Sequence, residues 1–494
     1  MPERNIESID KVIGFDPFAK QWITVESGEP RSALAPIPPL DGVLAVDDES
    51  RDAAAVDLGN LSSEKPSAVL RPGSARDVAA MVAFCREQGI PVSSRGQAHT
   101  TFGQGLSRGL LIENRHLARI HSLGPDFAEV DAGVLWRDLT RAAYDQSPRL
   151  TPPVLTGYTG LTVGGTLSVG GVGGIVGGLR TGLQVDHVRE LEVVTGTGAI
   201  ERCSPTHRSD LFHAMLGGLG QCGIITKATI DLVPAAERAR TYVLGYTDSG
   251  TFFRDLRTVI DRVGVDHVYA EFVAPGANPT FTLLATSFYD SPSAPDDQAI
   301  LDGLGASPEI EDRGYMDHVL SIDNLIDPLC ETEGWDRLVK PWFDTWLPGS
   351  RLEDFFIDIH PTLTPQDIGP YGAGLIYPQR RSHATRPLPR VPEPHGSEWM
   401  FVVDINTVSE TPDPEPGFAD SMLARNERLM SLTRERHGGV LYPIGSVRMT
   451  EPEWREHYGE AWDDFRSAKE RYDPDHVLTP GPGVFGAPGT VGEA

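Results

Sequence analysis

Apolar positions recur along this chain with two periods, and the places where the period switches outline its first elements. Ser67-Ala68-Val69-Leu70 is a short β-type run that stops at Arg71-Pro72-Gly73. Val78, Met81, Val82 and Cys85 then fall at i, i+3, i+4 and i+7, one apolar stripe that predicts a helix. Ser74 is placed to cap it, with Asp77 as the reciprocal acid of a capping box, and Gly89 ends it. Ile90 to Ser94 returns to strand pattern, so Ala68 to Ser94 reads as a βαβ unit. A strand is expected at Gly109 to Glu113, and Val188 to Val194 leads into a hairpin turn at Gly196-Thr197-Gly198. A short helix is expected near Leu211 to Leu216, and Gly223 to Val233 is β-rich up to Pro234. The residues before about 60 show no clear period and are read as an extension packed on this first unit.

Beyond Pro234 the strand-like runs lengthen, as in His267 to Val273, Phe281 to Phe288 and Trp399 to Asn406. The aromatics Trp335, Trp342, Trp346 and Tyr377 lie in the same stretch and suit a pocket wall. From about Leu441 the sequence returns to helix and turn, and it closes in a disordered-looking Gly486-Ala487-Pro488-Gly489-Thr490-Val491-Gly492. No repeat of solenoid or propeller period is visible.

At 494 residues the chain exceeds what one core supports and allows two substantial domains. Its 39% hydrophobic and 23% charged residues are globular values, which excludes a disordered chain. A formal charge of −27 excludes a nucleic-acid surface, since phosphates must be met by clustered lysines and arginines. Cys85, Cys203, Cys222 and Cys330 form no CxxC pair and are read as reduced core residues, without a metal site. Thr151 to Leu179 carries no charge and is long enough to cross a bilayer. Glycine supplies ten of its residues and proline two, so it is a glycine loop system and no membrane partner is expected. The opening Met-Pro-Glu-Arg-Asn-Ile-Glu has neither the basic nor the apolar region of a signal peptide, so a cytoplasmic protein is expected.

Two loops carry the candidate chemistry. In Ser93-Ser94-Arg95-Gly96-Gln97-Ala98-His99-Thr100-Thr101-Phe102-Gly103-Gln104-Gly105, small residues leave successive N–H groups free to form an anion-binding nest. Thr162-Val163-Gly164-Gly165-Thr166-Leu167-Ser168 offers a second close-approach surface, and the two suit an extended dinucleotide lying between them. Gly218-Leu219-Gly220-Gln221-Cys222-Gly223 is formally GxGxxG, but a Rossmann site needs a strand before it and a helix after it. Here the predicted order is reversed, so it is not read as that fingerprint.

With these motifs in this order, the chain resembles the vanillyl-alcohol oxidase flavoproteins, which have the p-cresol methylhydroxylase (PCMH) type of FAD-binding fold. It is most similar to their cytokinin dehydrogenase branch. Arg95 to Thr100 is similar to the family's Arg-Gly-x-Gly-His-Ser loop, whose histidine bonds the flavin 8α-methyl carbon. Leu161 to Ser168 resembles its isoalloxazine and pyrophosphate segment, and Leu216 to Thr226 its adenine-side strand. Lys340-Pro341-Trp342, Leu347 to Ser350 and Leu375-Ile376-Tyr377-Pro378 resemble cap motifs. Tyr472-Asp473-Pro474 and Leu478-Thr479-Pro480-Gly481 resemble the carboxyl-terminal flavin-contacting turn.

The resemblance covers about residues 60 to 487 and implies a two-domain α+β protein of PCMH-type FAD-binding fold with an α/β cap. Residues 1–60 are then the extension, 61–238 the FAD-binding domain, 239–440 the substrate-binding cap, and 441–494 the segment returning to the FAD domain. It implies FAD held by Arg95, Gly96, Gln97, Ala98, His99, Thr100, Gln104, Gly157, Tyr158, Thr162, Gly164, Gly165, Ser168, Gly223, Ile224 and Thr479, with His99 as the covalent tether. The implied activity is removal of a hydride from an alcohol or amine carbon of a small organic substrate, with oxygen or another acceptor taking the electrons, as in bacterial specialised metabolism.

The departures bear on the substrate. Cytokinin dehydrogenases carry an aspartate, which accepts a hydrogen bond from the substrate amine, where this chain has Gly157 before Tyr158. The family's glutamine after the final Pro-Gly is Pro482, and its Gly-His-Ser is Ala98-His99-Thr100. A proton acceptor must then come from elsewhere; Tyr442, at the return from cap to FAD domain, and Glu271, on a cap strand, are the candidates, with His437 a third. Two other readings remain: a cytokinin dehydrogenase with a relocated base, and a flavin-binding protein without turnover.

Overall fold

The computed structural model describes residues 11–25 and 33–486, so the start of the chain and the expected disordered tail beyond Gly486 lie outside the described residues. The apolar stripe does form a helix, Ala75–Gln88, and Val78, Met81, Val82 and Cys85 are fully buried on one face of it. Gly89 ends it in the left-handed region at φ 64°, where a side chain would be strained. The capping box does not form. Ser74 caps no backbone N–H, and the Asp77 carboxylate instead accepts from the N–H groups of Asp41, Gly42 and Gly73 at 2.8, 2.7 and 2.8 Å. The incoming 41–42 segment supplies two of these donors and Gly73 the third, where a box would supply one.

Strands Ala68–Arg71 and Val92–Arg95 both pair in parallel with Leu110–Glu113, which lies between them, and Val43–Ala45 adds an antiparallel edge. The extension is structured here. Val12–Asp16, Gln21–Thr24 and Ala35–Pro36 form a small sheet, and Trp22 stacks at 5.8 Å on Phe84 of the helix.

A second sheet of five antiparallel strands runs in the order Ile200–Cys203, Val188–Thr195, Gly223–Asp231, Phe127–Asp131, Ile120–Leu123. The hairpin turn falls where expected, with Gly198 at φ 80°. Ser209–Met215 is the short helix, so Gly218 to Gly223 follows a helix and opens a strand.

The third sheet has eight strands, all antiparallel to their neighbours: Pro308–Gly314, Arg238–Tyr246, Phe281–Tyr289, His267–Phe272, Ala373–Arg380, Trp399–Asn406, Phe343–Pro348, Val440–Leu441. Alternation assigns its two faces. Phe272 meets Phe356 edge-on at 4.9 Å beneath the helix Leu352–Ile359, so its neighbours Tyr269 and Glu271 point to the opposite face, as do Leu375, Tyr377, Val402 and Asp404. Among the described residues no helix is long and apolar enough to cross a membrane. Cys85, Cys203 and Cys222 are buried, Cys330 is half-exposed, and none of the four is paired.

The tail comes back to the first sheet. Val477 accepts from the Val92 N–H and Thr479 donates to the Val92 carbonyl, both at 2.8 Å, which lays 477–479 along the sheet edge. Lys469, from the helix Trp462–Tyr472, is buried and donates to Asp473 at 2.6 Å and to the Gln221 carbonyl at 2.8 Å. It ties that tail to the glycine turn before Gly223.

Candidate active site

One cleft lies between the loops of the first two sheets and the open face of the third. All the expected cofactor residues from Arg95 to Thr479 line it, as do Tyr442 and Glu271. His437 does not; it is buried at the end of Phe418–His437 beside Asp358 at 2.9 Å. Trp335, Trp342 and Tyr377 are on the wall, whereas Trp346 is buried behind it against Tyr442 at 6.0 Å.

The first loop leaves strand Val92–Arg95 and reverses at Ala98, whose φ of 53° is uncommon for a residue with a Cβ. Asp57, which the sequence did not single out, holds it. Its carboxylate accepts from the Gly103 N–H at 2.7 Å, the Gly59 N–H at 3.1 Å and the Thr100 hydroxyl at 3.3 Å. Burial pushes that carboxyl up to about 6 against these bonds. His99 stacks on Tyr158 at 5.4 Å and tilts against Trp342 at 5.8 Å. Burial, helped by the positive charge of Lys340, pushes its imidazole down to about 4, which leaves a neutral ring with a free lone pair. Lys340 is itself pushed down to about 7 by burial; it donates to the Leu58 and Leu338 carbonyls and sits 4.5 Å over Trp335.

Arg95 reaches the cleft differently from the expectation. Its guanidinium is committed to Glu113 and to the carbonyls of Ala53, Ala54 and Val56, so only its backbone is left for a ligand. Burial alone would raise the Glu113 carboxyl, but His116, Arg115 and Arg95 around it hold it well below the usual range.

The second loop locks into the first. A Cβ on Gly96 would lie 1.9 Å from the Thr162 hydroxyl oxygen and one on Gly165 2.8 Å from it, so glycine at both positions leaves room for the Thr162 side chain between the two loops. Ser168 spends its hydroxyl on the Gly164 carbonyl at 2.8 Å. Gln104 accepts from the Phe102 N–H at 2.8 Å and donates to the Ile444 and Gly445 carbonyls, which fastens the loop to the segment after Tyr442. At the far end Thr479 donates to the Gly220 carbonyl at 3.1 Å, and the buried Asn114 carbonyl oxygen lines the cleft without a partner.

The roof is the open sheet face. A Cβ built on Gly157 would stand 3.7 Å from the Tyr377 hydroxyl, so the position is open toward that tyrosine. Burial raises the Tyr377 phenol well above its ordinary value, and Asp404, Tyr269 and Glu271 add to the rise. Burial also raises Tyr442, with Asp404 and Asp344 contributing, and keeps it protonated. Glu271 opens onto the cleft, and its carboxyl is raised by burial. Asp404 and Asp344 were missed by the sequence reading. The available signal was a lone acid inside an apolar strand, Val402-Val403-Asp404-Ile405, and another between aromatics, Trp342-Phe343-Asp344.

Residues 66–204 match the FAD binding domain family, and residues 309–485 match the family described as "Cytokinin dehydrogenase 1, FAD and cytokinin binding". The chain is 34% identical to an "Uncharacterized oxidoreductase ORF5 in fasciation locus" of Rhodococcoides fascians, over 90% of this chain and 99% of the relative. It is 32% identical to Cytokinin dehydrogenase 1 of Oryza sativa subsp. japonica, over 93% of this chain and 95% of the relative. Among solved structures, the VAO-type flavoprotein MtVAO615 from Myceliophthora thermophila C1 superposes with a TM-score of 0.66 at 19% identity, over 85% of this chain and 80% of that one.

Proposed function

The chain belongs to the vanillyl-alcohol oxidase type of FAD-dependent oxidoreductases, on their cytokinin dehydrogenase branch, and from that premise we propose that it oxidises an alcohol or amine carbon of a small organic substrate. The observation that carries the reading is the convergence of both glycine loops and the Gly223–Ile224 strand start on one cleft roofed by Glu271, Tyr377 and Asp404. The residues fit FAD. Backbone N–H groups of Gly96 to Thr100 and of Gly165 suit its diphosphate, the unpartnered Asn114 side-chain oxygen suits a donor at its far end, and the neutral His99 imidazole is a competent nucleophile for the covalent tether. FAD, when bound, supplies acceptance of a hydride.

In this reading residues 61–238 with the described part of the tail, 441–486, form the flavin-holding part, and 239–440 supplies the roof. The roof also selects by charge. The carboxyls it brings to the cleft are Glu271 and Asp404, and the Arg95 guanidinium in the opposite wall is neutralised by Glu113. A neutral alcohol or a cationic amine fits such a site; a hydroxy acid would bring a carboxylate against like charge.

The test uses the purified yellow protein. After acid precipitation the colour is expected to stay with the pellet and to leave it in His99→Ala. Alcohols, amines and hydroxy acids are then mixed anaerobically with the holoprotein and flavin bleaching is followed. Reduction by alcohols or amines, but not by hydroxy acids, is the expected pattern. Failure of every compound to bleach the flavin would leave a binding protein without turnover.

A further inference from the structure

We infer that Asp404 is the proton acceptor of this oxidation, and that Asp344 positions it as the protonated partner in an acid pair holding one proton. The inference rests on the oxidase reading above and assigns the base that Gly157 cannot be. Asp344 and Asp404 stand directly opposite one another on the antiparallel strands Phe343–Pro348 and Trp399–Asn406. Directly opposed side chains in such a pair lie within about 5.5 Å of each other at Cβ. Two like charges at that distance in a buried sheet cannot both persist, and sharing one proton removes the conflict.

The surroundings supply no other remedy. Asp344 is fully buried and Asp404 is 6% exposed, with Asp404 alone of the two lining the cleft. Both Asp344 carboxyl oxygens and the Asp404 Oδ1 accept from no N–H or hydroxyl group, and among the described residues no lysine, arginine or histidine forms an ion pair with either. Burial raises both carboxyls. Asp344, fully buried and away from the cleft, keeps the proton and shares it with Asp404, which holds the charge where the cleft reaches it. The groups facing the pair are Tyr377, Tyr442, Tyr269 and Glu271; the three phenols are held protonated, so none competes as an anionic base. The segment after Tyr442 covers Asp344 closely, since a Cβ on Gly445 would lie 2.2 Å from the Asp344 Oδ2.

In the step assigned here, the substrate O–H or N–H bond breaks and its proton goes to Asp404. The electron pair of that bond forms the new C=O or C=N bond, and the hydride lost from the adjacent carbon is the one that FAD chemistry removes. Oxygen or another acceptor afterwards takes the two electrons.

The test compares wild type, Asp404→Asn, Asp344→Asn and Asp344→Ala as holoproteins. The first readout needs no substrate. The infrared absorption of a buried carboxylic acid at neutral pH should appear in wild type and Asp404→Asn and vanish in Asp344→Asn. The second is anaerobic flavin reduction by the best alcohol or amine. Asp404→Asn should slow it by about 10²- to 10⁴-fold without a matching loss of substrate affinity. Asp344→Asn, whose amide N–H still donates to Asp404, should keep most of the rate, and Asp344→Ala should move the acid limb of the rate–pH profile to higher pH. Absence of the infrared band from wild type, equal slowing in Asp344→Asn and Asp404→Asn, or undiminished reduction of Asp404→Asn would each overturn the assignment. Should no alcohol or amine reduce the wild-type flavin, the oxidase reading falls and the acceptor role with it; reduction of wild type and Asp404→Asn alike removes the acceptor role alone.

Discussion

At Gly157 the protein offers a ligand only backbone, and the space a side chain would fill opens toward the Tyr377 hydroxyl, 3.7 Å from the missing Cβ. An amine placed there has no carboxylate beside it; the acids of the roof, Glu271 and Asp404, come from the strands of the third sheet. Isopentenyladenine-type cytokinins are therefore expected to be poor substrates. Losing a charge-assisted hydrogen bond costs about 1.5–3 kcal/mol, and losing a base at the correct place costs a further factor of about 10² to 10⁴ in rate. Stopped-flow reduction by isopentenyladenine should be slow in the wild type and faster in Gly157→Asp, whose carboxyl would stand beside Tyr377. Fast reduction of the unmodified protein would mean that the roof acids already serve this amine, and the chain would then be a cytokinin dehydrogenase with a relocated base.

Single elements carry the cofactor loops, and the carboxyl-terminal helix Trp462–Tyr472 shows how strongly. Lys469 sits on its buried face and bonds Asp473, Gln221 and Leu478, while Asp473 accepts from the N–H groups of Val477 and Leu478 at 3.0 and 2.9 Å. Lys469→Met leaves the Asp473 charge buried without its cationic partner, which typically costs about 3–5 kcal/mol. Chemical denaturation should show that loss, and FAD retention should fall with it because the Gly220–Thr479 contact is released. A variant with unchanged midpoint and unchanged flavin content would show that the tail is held by other means. Elements of this kind differ in how far the sequence reveals them. The stripe from Val78 to Cys85 is legible because one face of a helix is buried and the other is wet. Ile120–Leu123 was not foreseen because its positions are mostly exposed or half-exposed and show no alternation. Trp399–Asn406 was legible as a strand, but burial on both faces hides which side Asp404 takes. Its partner Asp344 comes from an earlier strand, so the pair exists only once the sheet is assembled. The loop around His99 was read from its small residues and its resemblance to the family's Arg-Gly-x-Gly-His-Ser loop, whereas the commitment of Arg95 to Glu113 depends on a contact across the parallel sheet.

Over the whole molecule, buried titratable groups pull stability in opposite directions as the pH falls. Burial pushes His99 and His267 down to about 4, and His318 and His457 down to about 3, from 6.5. A lowered folded value means that the unfolded chain binds the proton first, so the stability these four contribute is present above 6.5 and is lost as pH falls toward 4. Asp57, raised by burial to about 6, and the Asp344–Asp404 pair have the reverse sign, since there the folded chain binds the proton first. Four histidines outweigh these carboxyls, and the melting temperature should decline between pH 6.5 and 4. The decline should be shallower in His318→Asn and steeper in Asp57→Asn; a flat profile in the wild type would contradict the balance drawn here. The lamination of 477–479 onto Val92 reaches further than equilibrium stability. A ribosome makes this chain from its amino end, so the glycine loops that line the cleft are made long before the strip that braces them. Until residues 477–479 leave the exit tunnel, the nascent chain has the pocket's walls without its clasp, and firm cofactor capture is expected to follow their release. Cofactor supply then acts on chains that have already made this strip, and a premature stop just before Val477 is expected to give a chain that stays colourless.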